Sequence, residues 1–194
     1  MFKRVIIFIL AYAFFRVIII TGGNYHRAIA EEISMRMESI IKSHEKIIQK
    51  WVKSTIIIES VIEQNNQNQS LDEIKRIDKD WVDGKIEDFV ISLQKNLAGK
   101  FLNEKIKSNA ILYAEAFLCD NQGAVVGEYP KTSDYWQGDE DKFTKCFNDG
   151  HGTVYYGPIV FDESTKKNSI QISLPVTDDG KTIGVLIVGI KNIE

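Results

Sequence analysis

The sequence predicts an α+β fold in which one long N-terminal helix, or several helices, precedes a five-stranded antiparallel sheet. Up to Gly99, apolar residues recur at steps of three and four, which is the spacing of one helix face. From Asn109 onward, short runs of alternating apolar and polar residues are separated by turn residues, as expected of strands. A chain of 194 residues has room for one domain of ordinary size. We therefore expect the helical region, residues 24–109, and the sheet region, residues 110–194, to form one folded unit.

Residues 1–23 have the pattern of an export signal. Lys3 and Arg4 precede the apolar run Val5–Ile20, which Arg16 interrupts. The run reaches the roughly 20 residues of a membrane-spanning helix only if Arg16 is included. The segment is therefore either an uncleaved anchor, which we favour, or a cleaved signal peptide. Because the basic start predicts an N-in, C-out orientation, we expect a periplasmic protein held at the inner membrane by this segment.

A nearly heptad row of apolar residues follows the export segment. Helical spacing continues from about Ala28 to Val61, which corresponds to a helix of roughly 50 Å. Two interpretations of this row stay open: it packs on the sheet of its own chain, or it joins two copies in a homodimer through the helix Ile33–Ile62. His44 and the pair Ser54–Thr55 lie in the same row. Its apolar members are Ile33, Met37, Ile40, Ile47, Trp51, Ile58 and Ile62.

Two further helices are predicted before the sheet. Ser70–Glu73 matches the capping box S-x-x-E, which marks the start of a second helix, and Gly84 marks its end. A third helix is expected to begin near Ile86 and to stop at Gly99.

Five strands are predicted in the second half of the chain. Asp120–Gly123 and Thr177–Gly180 have the composition of hairpin turns. Asp139–Phe147 is predicted to form a short helix between the second and third strands. In chain order, the strands are Ile111–Cys119, Ala124–Glu128, Thr153–Phe161, Ser169–Val176 and Ile183–Ile190.

A block of residues after the first hairpin carries a resemblance to a known family. The block T-S-D-Y-W-Q-G-D-E occupies Thr132–Glu140, and F-D-E-S-T at Phe161–Thr165 and Q-I-S-L-P-V at Gln171–Val176 follow it. In these motifs the chain resembles bacterial single Cache domain proteins, which are PAS-like extracytoplasmic sensors. The resemblance spans about Tyr113–Ile190, whereas the preceding helices match only in layout. It implies a PAS-like five-stranded antiparallel sheet and a periplasmic domain that binds a small molecule.

The resemblance also bears on partners. Sensors of this family often belong to receptors with a kinase, cyclase or chemotaxis output, but no output domain follows the sheet in this sequence. We therefore expect the module to act with a separate membrane signalling protein. The alternative is a structural or interaction protein of the envelope that dimerises through the long helix and binds no ligand.

Six residues are expected to contact the small-molecule ligand. Two large aromatic residues in the loop after the first hairpin expose apolar area unless they cover something, and Trp136 is either a lid over a pocket or a plug of the core. Polar positions on the later strands are expected to wall the same pocket. The set is Asp134, Tyr135, Trp136, Tyr156, Gln171 and Ser173.

Composition and motifs argue against other classes of function. The net charge is -3 with basic and acidic residues interleaved, so no basic field is available for nucleic acid. His26, His44 and His151 lack the spacing of a metal-ligand pair. The sequence contains neither the motif of a nucleophilic serine nor a phosphate-binding loop. We expect no enzymatic activity, no metal site and no cofactor.

The sequence contains two cysteines, Cys119 and Cys146. One is predicted to end a strand, and the other to lie late in the helix that packs on the same sheet. They either pair in a disulfide or are buried separately as small apolar side chains.

Overall fold

The computed structural model describes residues 35–162 and 167–191. The chain divides into two compact units, Met1–Ile41 with Glu194 and Lys42–Ile193. In the first unit, the residues that the structure describes are helical.

The predicted export segment at residues 1–23 lies outside the described residues, as does the predicted start of the long helix. In the part of the chain that the structure covers, no helix has both the length and the apolar character that crossing a membrane requires.

Helices make up most of residues 35–109. Residues 35–52 are helical and are called α1. The helices that follow are α2 at Thr55–Asn66, α3 at Leu71–Val82, α4 at Glu87–Lys95, α5 at Leu97–Ser108 and α6 at Asp141–Phe147.

The predicted single helix from Ala28 to Val61 is interrupted, and in this respect the prediction is wrong. Ser54 has extended backbone angles, with φ -68° and ψ 133°. Its N–H donates to the carbonyl of Trp51 at 3.0 Å, and its own carbonyl accepts from the N–H of Ile57 at 3.0 Å. Serine is a preferred residue immediately before a helix. The apolar row therefore continues in the sequence while the helix axis is broken at residues 53–54.

The capping box at the start of α3 is confirmed. The Ser70 hydroxyl accepts a hydrogen bond from the Glu73 N–H at 3.3 Å. The predicted stop at Gly99 is wrong, because a new helix has already begun there. Asn96 separates α4 from α5 and caps α5, since its side-chain oxygen accepts from the Gly99 N–H at 2.8 Å.

The sheet is antiparallel throughout its pairings and confirms the predicted α+β fold. Its strand order is β2-β1-β6-β5-β3, and β4 also pairs with β5. The third predicted strand is thus divided into two short pieces, because Gly157 and Pro158 interrupt it and proline cannot donate to the ladder. The strands are β1 at Tyr113–Cys119, β2 at Val125–Tyr129, β3 at Tyr155–Tyr156, β4 at Val160–Asp162, β5 at Lys167–Asp178 and β6 at Lys181–Lys191.

One face of the sheet packs on the N-terminal helices, and we call it the helix face. At two glycines of the sheet, a helix lies unusually close to the sheet backbone. A Cβ atom added at Gly127 would lie 2.7 Å from Cβ of Ala98 in α5, and one at Gly184 would lie 2.9 Å from Cγ1 of Val61 in α2. Side chains at these two positions would push the helices off the sheet. Other residues on this face are Ala116, Val188 and Ile172, which are opposite one another across the strands.

The opposite face packs on α6, and we call it the α6 face. Register places Phe117, Ile187 and Ser173 in one row on this face. Both cysteines lie in the apolar cluster between this face and α6, and both are free thiols. Burial raises the pKa of Cys119, and burial likewise raises the pKa of Cys146 to about 12. The structure therefore has the two cysteines as separate, buried apolar side chains, in which the reactive thiolate form is disfavoured.

His44 and Trp51 of α1 contact the helix face through the same tyrosine. His44 Nδ1 lies 2.8 Å from the hydroxyl oxygen of Tyr113, and the Trp51 ring meets the Tyr113 ring edge-on with centroids 5.1 Å apart. These contacts confirm, for this part of the apolar row, that it packs on its own sheet.

We predict that acidification destabilises the protein through His44. Burial lowers the pKa of His44 in the folded state, so the unfolded chain, with a histidine pKa of about 6.5, binds the proton first. The free energy of unfolding should then decrease as pH falls below about 6.5. Denaturant titrations at neutral and mildly acidic pH should show that His44→Gln loses less stability on acidification than the unmodified protein. The exposed His151 offers a control, and His151→Gln should follow the unmodified protein. Equal pH dependence in all three proteins would contradict this role.

Candidate ligand-binding site

The loop at residues 132–137, which carries most of the predicted site, is fixed to α3 by one carboxylate. Oδ1 of Asp78 accepts hydrogen bonds from the N–H groups of Tyr135 at 2.8 Å and Trp136 at 2.9 Å. The Tyr135 carbonyl in turn accepts from the N–H of Val125 in β2 at 3.1 Å. The loop therefore lies along the outer edge of β2, held on one side by the sheet and on the other by Asp78.

A second carboxylate holds the start of the same loop. Glu128 of β2 is fully buried and accepts from both the N–H and the hydroxyl of Thr132, each at 2.8 Å. Burial raises the pKa of Glu128, and the hydrogen bonds from Thr132 partly oppose that shift. Asp78 and Glu128 together form what we call the carboxylate clamp. Neither residue is predicted from the sequence as part of the site.

Tyr135 is nearly fully buried, with 1% of its surface exposed. Its ring packs against Trp81 and Phe89, with centroid separations of 5.7 and 5.6 Å. Its hydroxyl donates to the side-chain oxygen of Gln69 at 3.4 Å. Burial raises the pKa of Tyr135, so the phenol stays neutral and can donate a hydrogen bond. The carboxylate clamp thus places a neutral aromatic donor between the helices and the sheet edge.

Tyr135 lines a cavity of about 360 Å³, which we call the α2 cavity. This volume lies in the range of small-molecule sites, and so does the combination of apolar walls with a few polar groups. The apolar wall consists of Ile77, Phe89, Leu93, Leu97 and Val126. The polar wall consists of Ser60, Glu63, Gln64, Gln67, Gln69, Asn96 and Tyr135.

Some side chains of the polar wall have hydrogen-bond partners within the chain, and others have none in its described part. The Asn96 side chain caps α5 and donates to the carbonyl of Val126 at 2.8 Å, so both ends of its amide are engaged. By contrast, four side chains of α2 and its end form no hydrogen bond or ion pair with the rest of the described chain. These are Ser60, Glu63, Gln64 and Gln67. They leave donors and acceptors that a ligand can use.

Asp134 and Trp136 lie beside Tyr135 but outside the lining of the α2 cavity. The Asp134 carboxylate accepts from the side chains of Ser133 and Gln137 within the loop. Trp136 is half-buried, and its indole N–H donates to the Gln122 carbonyl at 2.9 Å. Trp136 therefore covers the turn between β1 and β2 and packs against the buried cluster that contains Ala124, Val125 and Tyr135.

The remaining predicted residues lie on other strands. Three strand intervals separate β5 from β2, a distance of roughly 14 Å at the usual strand spacing. Gln171 and Ser173 of β5 are on the α6 face, whereas Tyr156 of β3 is opposite Ile172 and is on the helix face. The Tyr156 hydroxyl donates to Glu45 of α1 at 2.5 Å. The structure thus does not bring the six residues into one pocket, and a ligand contact by each of them stays a prediction.

Gln171 lines a second cavity, of about 300 Å³, with Glu115. Its side-chain amide donates to the Glu115 carboxylate at 2.8 Å, so the two principal polar groups of this cavity satisfy each other. Ser173 is fully buried, and its hydroxyl has no partner among the residues that the structure describes.

No protein-family model and no curated protein sequence matches the chain. Among solved structures, the chain is similar to the sensor domain of the histidine kinase DctB from V. cholerae, with 12% identity, a TM-score of 0.48, and coverage of 86% of this chain and 54% of that one. It is also similar to the ligand-binding domain of the amino-acid chemoreceptor PctC from Pseudomonas aeruginosa, solved with GABA. Here the identity is 18% and the TM-score 0.39, and the match covers 61% of this chain and 56% of that one. A third similar structure is the ligand-binding domain of the chemoreceptor Tlp3 from Campylobacter jejuni, solved with 4-methylisoleucine. The identity is 20% and the TM-score 0.38, and the match covers 80% of this chain and 60% of that one.

The chain spans 54% to 60% of the length of these three structures. Similarity at TM-scores below 0.5 does not establish a shared function.

We predict that removing the Asp78 carboxylate loosens the loop at residues 132–137. Asp78→Ala deprives two backbone N–H groups of their acceptor, and the free energy of unfolding should fall by about 1–3 kcal/mol. Asp80 offers a matched control in the same helix, because its carboxylate forms surface ion pairs with Arg76 and Lys85. Asp80→Ala should cost less than about 1 kcal/mol. Equal losses in denaturant titrations of the two variants would show that Asp78 does not anchor the loop.

Proposed function

We propose that this protein is an extracytoplasmic sensor module of the Cache type that binds a small molecule in the α2 cavity and acts with a separate membrane signalling protein. The observation that carries the proposal is the α2 cavity itself, where an apolar wall faces four polar side chains without partners in the described chain. An apolar wall with a small number of polar groups that can orient a ligand is the usual composition of a small-molecule site.

The position of the cavity suggests how a ligand could act on a partner. Ser60, Glu63, Gln64 and Gln67 all belong to α2 or its end, and α2 follows α1 after the break at residues 53–54. A ligand bridging α2 and Tyr135 would bias the orientation of α2. Because α1 is the element between α2 and the predicted export segment, we propose that α1 transmits this change toward the membrane.

The export part of the proposal rests on the sequence of residues 1–23, in which basic residues precede an apolar run. The proposal includes no catalysis and no cofactor. Over residues 35–162 and 167–191, no group of three or more His, Cys, Asp or Glu side chains could hold a metal ion.

The second candidate function is that of an envelope interaction protein that dimerises through the apolar row Ile33–Ile62. Ile47 and Ile56 favour it, because 41% and 37% of their surfaces are exposed. His44 and Trp51 of the same row are already buried against Tyr113. A dimer that Ile47→Glu dissociates, in a protein that binds no small molecule, would support this function over the first.

We predict that a small molecule stabilises the protein by binding in the α2 cavity. A thermal-shift screen with small amines, carboxylates and amino acids should identify a compound that raises the melting temperature, since saturation at 100 times the dissociation constant adds about 2.7 kcal/mol. Gln64→Leu should abolish the shift because it removes the polar amide from the wall while keeping its approximate volume.

Gln171→Leu, in the second cavity, is the matched control and should leave the shift unchanged. A shift that survives Gln64→Leu and is lost in Gln171→Leu would move the site to the second cavity. The absence of any shift would contradict the proposed function.

A further inference from the structure

We infer that the ligand of the α2 cavity is a small organic cation, a primary amine or a quaternary ammonium compound. This inference rests on the proposed function and adds to it the chemical class of the ligand. It depends on the charge of the cavity wall, on the orientation of α2, and on the aromatic rings opposite that helix.

Charge is the first argument. Glu63 is the charged member of the wall, and no Lys, Arg or His lines the cavity among the described residues. Glu63 forms no ion pair within that part of the chain. From Ser54 to Gln69 the sequence contains Glu59 and Glu63 but no basic residue. A carboxylate ligand would therefore face a like charge, and neither it nor the carboxylate of a free amino acid would meet a counter-ion among the described lining residues, which disfavours binding.

Helix orientation is the second argument. Glu63 and Gln64 lie in the last turn of α2, and Gln67 is its C-terminal cap residue. The C-terminal end of a helix carries partial negative charge and favours cations. That last turn contains no basic side chain to neutralise it. The N-terminal end of α5 also reaches the cavity wall at Asn96, but Asn96 already caps it by accepting from the Gly99 N–H.

The aromatic rings are the third argument. Phe89 and Tyr135 both line the cavity, and their ring planes are inclined at 65° with centroids 5.6 Å apart. Phe89 is the partly exposed member of this pair, so its ring offers aromatic surface that a cation in the cavity can contact. Gln64 and Gln67 on the facing helix supply amide oxygens that accept hydrogen bonds from an ammonium group. Four features of the cavity therefore favour a positively charged ligand: the Glu63 carboxylate, the amide oxygens, the C-terminal end of α2 and the aromatic surface.

The test uses the full-length protein with four defined probes. Butylammonium and tetramethylammonium are the cations, and butyrate and butyramide are the anionic and neutral analogues of similar size. Calorimetric titration should detect binding of at least one cation and neither analogue. Glu63→Gln should weaken that binding at least about tenfold, because it removes the carboxylate from a charge-assisted contact. Glu59→Gln, one turn earlier on α2 and outside the lining, should change it less than about twofold.

The outcomes separate this inference from the proposed function. Both variants change exposed side chains, so loss of folding does not obscure the result. Binding of butyrate or butyramide but of neither cation, with sensitivity to Gln64→Leu, would overturn the cationic ligand and leave the α2 cavity as a ligand site. Cation binding that Glu63→Gln leaves unchanged would also overturn the inference. If no probe of any charge binds, both the inference and the proposed site are contradicted.

Discussion

The candidate site depends on the carboxylate clamp, in which Asp78 and Glu128 hold the loop at residues 132–137 along the edge of β2. Without these acceptors, several buried or half-buried N–H and hydroxyl groups of the loop would lack partners, which is energetically costly. The clamp positions Tyr135 in the α2 cavity, so one side of the cavity is built from the sheet edge. Helix α2 forms the other side. The two sides are far apart in sequence, and the packing of α2 on α5 and on the sheet contributes to bringing them together.

Local signals in the sequence predicted much of the fold. The capping box at Ser70 and the turn at Asp120–Gly123 concern residues three or four apart, and both are confirmed. The break at Ser54 was missed because the apolar spacing runs through it. Asn96 was missed as a cap because it lies within a helical pattern that Gly99 was expected to end. In both cases a short polar residue precedes a helix start while the apolar spacing continues across it.

The site was less predictable because its contacts are not local. Asp78 and Tyr135 are 57 residues apart in sequence, and no spacing rule connects them. The aromatic loop was correctly singled out, and Tyr135 does line a cavity. Gln171 and Ser173 were grouped with the aromatic loop because the alternation of apolar and polar residues predicts which residues share a face of the sheet. That alternation does not predict the order of the strands. With β1 and β6 between β2 and β5, these residues belong to another part of the sheet.

The central claim is that the ligand binds between α2 and Tyr135. The most direct measurement is a crystal structure of the protein with the tightest-binding compound from the thermal-shift screen. We predict that the compound occupies the α2 cavity, with polar contacts to Glu63 or Gln64 and an apolar or aromatic contact to Tyr135. A compound bound on the α6 face beside Ser173, with the α2 cavity empty, would contradict the account.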